Sequence, residues 1–279
     1  MIFSSGIFFS VSFAFAADVK THATLPTSLV AWYDMETVND STVAALNLTN
    51  NGTTPFVSAK INNGADFDGS DDYFSRAGDH SYAGGAYSYS AWIRVDAAPG
   101  NNARQRILMS GDSTSMNEIS LDYFNDAGTL KAEFYRGKPG VGADFYLVNQ
   151  TFTVGTFFHF VGTYDGTTLR MYVNGSEIGT GLAASGSGNA ATTEGFRIGA
   201  DTGNGSLFNG VVDLVGVWTK ALSATEITDL YNSGNGIQYE VVAAPVVNRS
   251  VIIIIITQKI QNVFQMFASL VNPLIAFAK

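Results

Sequence analysis

Residues 156–178 read TFFHFVGTYDGTTLRMYVNGSEI, and their pattern decides the fold. Asp165-Gly166 and Asn174-Gly175 each separate runs rich in aromatic and β-branched residues. Two-residue hairpin loops need positive φ at their central positions, which Asp-Gly and Asn-Gly adopt at little cost. The runs alternate. Phe158, Phe160 and Tyr164 fall on one side of the first run, and His159, Val161 and Thr163 on the other. In the second, Leu169, Met171 and Val173 oppose Thr168, Arg170 and Tyr172. Period-2 alternation between turn signals predicts three antiparallel strands in a meander.

The same grammar extends outward. Strands are expected at 29–36 (LVAWYDME), near Phe56, at 87–95 (YSYSAWIRV), 116–124, 129–136, 144–148, 196–199 and 211–219. An acidic stretch, Asp66 to Asp72, begins like an EF-hand loop but lacks that loop's spacing and closing glutamate, so it reads as a β-turn. Residues 181–195 are a Gly/Ser/Ala/Thr loop. One helix is expected before the tail: Ser223 is its N-cap, Glu226 its third residue, and Ile227, Leu230 and Tyr231 share a face. The chain is therefore all-β over residues 28–240, with one short helix near the domain end.

Composition narrows the function. The 279 residues carry 15 Lys and Arg against 24 Asp and Glu, a net charge of −9, with a pI near 4.7. Nucleic-acid binding needs clustered cations to neutralise phosphate, so that class is excluded. There is no cysteine, which removes disulfides, thiolate metal sites and cysteine nucleophiles. The N-terminal MIFSSGIFFSVSFAFA is apolar, too short to span a bilayer, and ends in Ala14-Phe15-Ala16. It reads as a signal peptide cut after Ala16, although no Lys or Arg precedes the apolar region. Residues 17–27 read as a linker, and the mature protein is expected to be secreted or on the cell surface.

The order of segments resembles the LamG-like (laminin G type) modules of the concanavalin A-like lectin/glucanase superfamily. The resemblance is carried by LVAWYDME (29–36), GADFDGSDDYF (64–74), YSYSAWIRV (87–95), FFHFVGTYDGTTLRMYVNGSEI (157–178), FRIGAD (196–201) and FNGVVDLVGVWTKALSATEITDLY (208–231). It implies a jelly-roll sandwich of two curved antiparallel sheets, one convex and one concave. It also implies a structural calcium ion between the N-terminal loop and the last strand, with Asp40 and Asp213 as the matching ligands. Asn209, Leu214 and Ala44-Ala45 stand where the family often has acidic residues.

No catalytic constellation is present. His22, His80 and His159 accompany no nucleophile elbow, and the closely spaced acids of the superfamily's glucanases are missing. Glu118 and Asp122, with Glu133 on the neighbouring strand, come nearest to a carboxylate pair for glycosidic chemistry. The alternation leaves Asp122, Glu133, Tyr135, His159, Arg170 and Tyr172 on polar sheet faces. Carboxylates, an arginine and aromatic rings on one concave sheet would hold a sugar by hydrogen bonds and stacking. Tyr135 and Tyr172 should then lie outside the core, so that truncating either costs roughly 0.5–1 kcal/mol. The expected function is a non-catalytic recognition module for carbohydrate or a surface protein. The alternatives are a polysaccharide hydrolase or lyase, and a structural surface protein without a ligand.

Residues 241–279 depart from this grammar. Val251 to Ile256 is an uncharged β-prone run, and Ile260, Val263, Phe264, Phe267, Leu270, Val271 and Leu274 recur at helical spacing. The tail reads as an amphipathic helix with too many polar interruptions to cross a membrane cleanly. Docking to the sandwich, contact with a membrane surface or another protein, and a frameshifted end all remain open readings of it.

Overall fold

A computed structural model describes residues 18–78, 85–112, 117–138, 140, 142–186 and 195–240. The expected signal peptide, His80 and the hydrophobic tail lie outside the described residues. Two antiparallel sheets pack face to face. The first is eight-stranded: β1 (Leu29–Tyr33), β3 (Phe56–Ser58), β4 (Asn63–Asp68), β6 (Tyr87–Val95), β11 (Phe157–Tyr164), β12 (Thr168–Val173), β13 (Ser176–Ala183) and β15 (Asn209–Trp218). Its order is β13-β12-β11-β6-β15-β4-β3, with β1 also on β15. The second is seven-stranded: β2 (Thr49–Asn51), β5 (Tyr73–Arg76), β7 (Arg104–Asp112), β8 (Asn117–Asp126), β9 (Thr129–Lys138), β10 (Gly142–Asn149) and β14 (Phe196–Ile198), in the order β10-β9-β8-β7-β14-β5-β2.

The meander lies at one side of the first sheet. Phe160 pairs with Val173 and Tyr164 with Leu169, so the set Phe160, Tyr164, Leu169 and Met171 faces the second sheet and is buried. Gly162 sits among them, where a Cβ would come within 2.6 Å of Leu121 across the sandwich. Asn174-Gly175 is the expected two-residue loop, with φ of 52° and 78° and Val173 paired to Ser176. Asp165-Gly166 differs. The loop takes in Thr167 as well, because the Asp165 carboxylate accepts from the amides of Thr167 and Thr168, both at 2.8 Å. That side-chain turn makes a third loop residue the stable choice.

Helix α1 (Ala224–Tyr231) begins with the expected capping box: Glu226 N donates to Ser223 Oγ, and Ser223 N donates to Glu226 Oε2 at 2.9 Å. It packs on the outer face of the eight-stranded sheet, not within the sandwich. There a second apolar cluster forms from Trp32, Trp92, Val161, Tyr172, Leu214, Trp218, Ile227 and Leu230. Residues 18–27, expected as a linker, belong to this cluster. Val19 and Leu25 are fully buried, Trp218 Nε1 donates to Leu25 O at 2.7 Å, and Val19 N and Lys20 N donate to Gln238 O and Tyr239 O. The two apolar side chains anchor a stretch whose polar majority suggested a solvated linker. Among the described residues no helix is long and apolar enough to cross a membrane.

Candidate functional site

Strand β7 went unrecognised in the sequence, and it carries the charges that complete the polar face. A register shift between Arg106 and Leu108 puts both Ile107 and Leu108 in the core. Arg104 and Arg106 precede the shift and stand on the outer face, opposite Phe124 and Asp122 of β8. A bulge of this kind breaks the alternation by which strands are recognised.

Four strands then build the outer face of the seven-stranded sheet in rows. One row runs Leu147, Glu133, Asp122, Arg106, and the next runs Phe145, Tyr135, Ser120, Met109. Arg104 holds Glu133 through Nε and Nη2 at 3.0 and 3.1 Å, and its Nε lies 3.8 Å from Asp122. Arg106 Nε lies 3.3 Å from Asp122 Oδ1, its Nη1 3.5 Å from Glu118, and the same Nη1 donates to Ser120 Oγ. Ser120 Oγ in turn donates to Asp122 Oδ2 at 2.9 Å. Asp122 and Glu133 are wholly buried. Burial raises the Asp122 carboxyl, and burial together with Asp122 pushes Glu133 up to about 7. Desolvation disfavours the charged form, and a neighbouring carboxylate adds to it.

The structure thus brings Asp122, Glu133 and Tyr135 together with Glu118. It does not bring them together with His159, Arg170 or Tyr172, which stand on the outer face of the other sheet. This corrects the expectation of one shared face: alternation says which residues oppose the core, not which sheet a strand joins. His159 donates or accepts at Ser90 Oγ, 2.8 Å away, with its ring 5.4 Å from Trp92 and 6.2 Å from Tyr231. Burial holds its imidazole down at about 3, so it is neutral. Tyr172 is part of the apolar cluster under α1 and only 5% exposed, and Tyr135 is 8% exposed. Neither ring stands clear of its neighbours, contrary to the expectation from alternation: Tyr172 lies under helix α1, and Tyr135 packs against Phe145 at 5.0 Å. Arg170 pairs with Glu177 at 2.7 Å on the surface.

The two carboxylates that the resemblance implies as calcium ligands already accept hydrogen bonds. Asp40 accepts from Trp32 N, Thr42 N, Thr42 Oγ1 and Leu46 N, all at 2.8–3.0 Å. Asp213 accepts from Leu214 N at 2.8 Å and Ile61 N at 3.0 Å. Burial, with Glu36 and Asp34 nearby, pushes its carboxyl up to about 8. A carboxylate already committed to amides has fewer lone pairs left for a hard cation. The pair does not fit calcium. Among the described residues, Asp68, Asp71 and Asp72 converge within 4.8 Å, but Asp68 and Asp72 accept from groups of their own turn and from Thr54.

A profile of the Laminin_G_3 family, described as concanavalin A-like lectin/glucanases superfamily, matches residues 68–228, more than half of the chain. A comparison with curated proteins gave no match. Among solved structures, domain 4 of AbnA, a GH43 extracellular arabinanase from Geobacillus stearothermophilus in complex with arabinotriose, is 17% identical with a TM-score of 0.56. The match covers 72% of this chain and 97% of that one. The binding domain of Paraclostridial Mosquitocidal Protein 1 is 15% identical (TM-score 0.58), covering 74% of this chain and 52% of that one. A botulinum neurotoxin type C structure, from work on its interaction with two ganglioside molecules, is 12% identical (TM-score 0.58), covering 74% and 51%. This chain spans about half the length of the toxin chains, and the likeness is one of fold.

Proposed function

Given that the chain belongs to the concanavalin A-like lectin/glucanase superfamily, we propose that it is an exported carbohydrate-recognition module without catalysis of its own. The observation that carries this reading is the outer face of the seven-stranded sheet. Its carboxylates are closed off by Arg104 and Arg106, while aromatic side chains reach its edge. A buried, arginine-bound acid is poorly placed to reach a glycosidic oxygen, but a stiff polar floor beside an aromatic ring suits sugar binding. The arabinotriose-bound and ganglioside-linked structures of the same fold support the reading at the level of fold.

A glycan array probed with the full-length chain tests it. Selective hits support recognition, and a blank array favours a structural role or a protein ligand on the cell surface. One feature favours a second reading, polysaccharide hydrolysis: Asp122 and Glu133 are directly opposed on adjacent strands, and Glu133 is raised to about 7. Release of reducing ends from polysaccharide, abolished in Glu133→Gln, would establish that activity. Export is checked by N-terminal sequencing of protein recovered from the medium or the cell surface, with Ala17 as the expected first residue.

A further inference from the structure

Strand β10 is an edge of its sheet, and it carries an aromatic ring where edges usually carry charge or proline. Phe145 is 49% exposed and is the one aromatic among the large apolar side chains exposed in the described residues. It pairs with Tyr135, so both rings are on the outer face, 5.0 Å apart and nearly perpendicular at 78°. The contact holds Phe145 in place without covering it. No hydrogen bond of the Tyr135 hydroxyl is seen among the described residues. Burial, then Glu118, pushes that hydroxyl up to about 12, so it keeps its proton as a donor. A local rule broken at a well-supported position marks a place shaped by function.

The charges beside these rings are closed on themselves. Arg104 faces Glu133 and Asp122, and Arg106 faces Asp122 and Glu118. With all three carboxylates ionised, the two guanidinium groups leave 2 − 3 = −1, and with Glu133 protonated the cluster is neutral. Lys131 is bound to Asp126 at 2.6 Å. The next cation along the Phe145 row is Arg197 on β14, four strand spacings or about 19 Å away. On the strand beside Phe145, Arg136 and Lys138 are buried and both held by Asp144, at 2.6 and 2.9 Å. Among the described residues an anionic sugar on Phe145 would therefore meet no exposed, unpaired cation nearby, in a chain of net charge −9.

Resting on the glycan-binding reading above, we infer that Phe145 and Tyr135 form a one-ring sugar subsite that selects neutral glycans over sialylated or uronate-bearing ones. The C–H face of the sugar stacks on Phe145, and a sugar hydroxyl accepts from Tyr135 Oη. Stacking needs an aromatic face of any kind, so Phe145→Trp retains binding while Phe145→Ala lowers affinity about tenfold or more.

The test uses the full-length chain on an array of neutral, sialylated and uronate-bearing glycans, with Phe145→Ala and Phe145→Trp alongside and melting temperatures recorded. Neutral hits, lost in Phe145→Ala at unchanged melting temperature and kept in Phe145→Trp, are expected. Hits confined to acidic glycans would overturn the selectivity while leaving glycan binding intact. Neutral hits undiminished in a stable Phe145→Ala would overturn the subsite. A blank array for the wild type removes the glycan-binding reading itself, and this subsite with it.

Discussion

On the outer face of the eight-stranded sheet, His159 and Tyr172 lie beneath helix α1 and the 18–27 segment, in an apolar layer with Trp92 and Trp218. On the outer face of the seven-stranded sheet, Asp122 and Glu133 lie against the arginines of β7. Both faces oppose the core, and both bury polar groups to similar depth. The first was closed by adding a layer, so a polar residue there must be neutral: His159 is held far below its usual range. The second was closed from within the sheet, so its acids lie against arginines of the same sheet instead of a neutral layer. Outward-facing in a strand therefore carries two meanings, and the covering element decides between them.

The largest expected effect breaks the second face. Arg106→Ala leaves Asp122 and Glu118 buried without their guanidinium and should cost about 3–5 kcal/mol in urea unfolding. A loss below about 1 kcal/mol would mean that water already serves these carboxylates. Next comes Tyr172→Ala on the first face. Because the ring is part of the helix-covered cluster, about 2–4 kcal/mol should be lost, well above what an uncovered outer-face tyrosine would give. A measured loss near 0.5 kcal/mol would show that α1 does not hold this layer closed.

A pH series sharpens the contrast. His159 titrates near 6.5 when unfolded and at about 3 when folded, so the unfolded chain binds the extra proton between these values. Its contribution is fully present above pH 6.5 and is lost as pH falls toward 3. His159→Gln should have a flatter acid limb than the wild type over that window. Equal slopes would place the acid sensitivity elsewhere. Glu133, raised to about 7, contributes the opposite sign, with stability lost as pH rises toward 7, so the difference between variant and wild type isolates the histidine. The smallest effect is expected from calcium. With Asp40 and Asp213 committed to amides, melting temperatures in Ca2+ and in chelator should coincide. A rise in Ca2+ that disappears in Asp213→Ala would restore the metal.

These contrasts also show how far the sequence could be read. Asn174-Gly175 and the Ser223–Glu226 capping box were legible because each is decided by a few adjacent residues. The inward sets of β8, β9, β11 and β12 were legible because alternation is local too. Strand β7 was hidden by one extra residue at Ile107, and with it went Arg104 and Arg106, the partners of the acids the sequence did single out. Phe145 passed unnoticed because an aromatic residue in a strand looks the same at a buried and at a bare edge. The separation of His159 from Glu133 depends on which strands pair, and no spacing within the chain records that.

The first and last of the described residues meet at one spot. Val19 and Lys20 donate to the carbonyls of Gln238 and Tyr239, and Lys20 pairs with Glu240. A domain whose entry and exit touch can be set into a longer polypeptide as a pendant, because the host chain is interrupted by only a short gap. Tension along such a host would load this small clasp before it reached any strand of either sheet. Both sheets would then keep their shape while the clasp yielded.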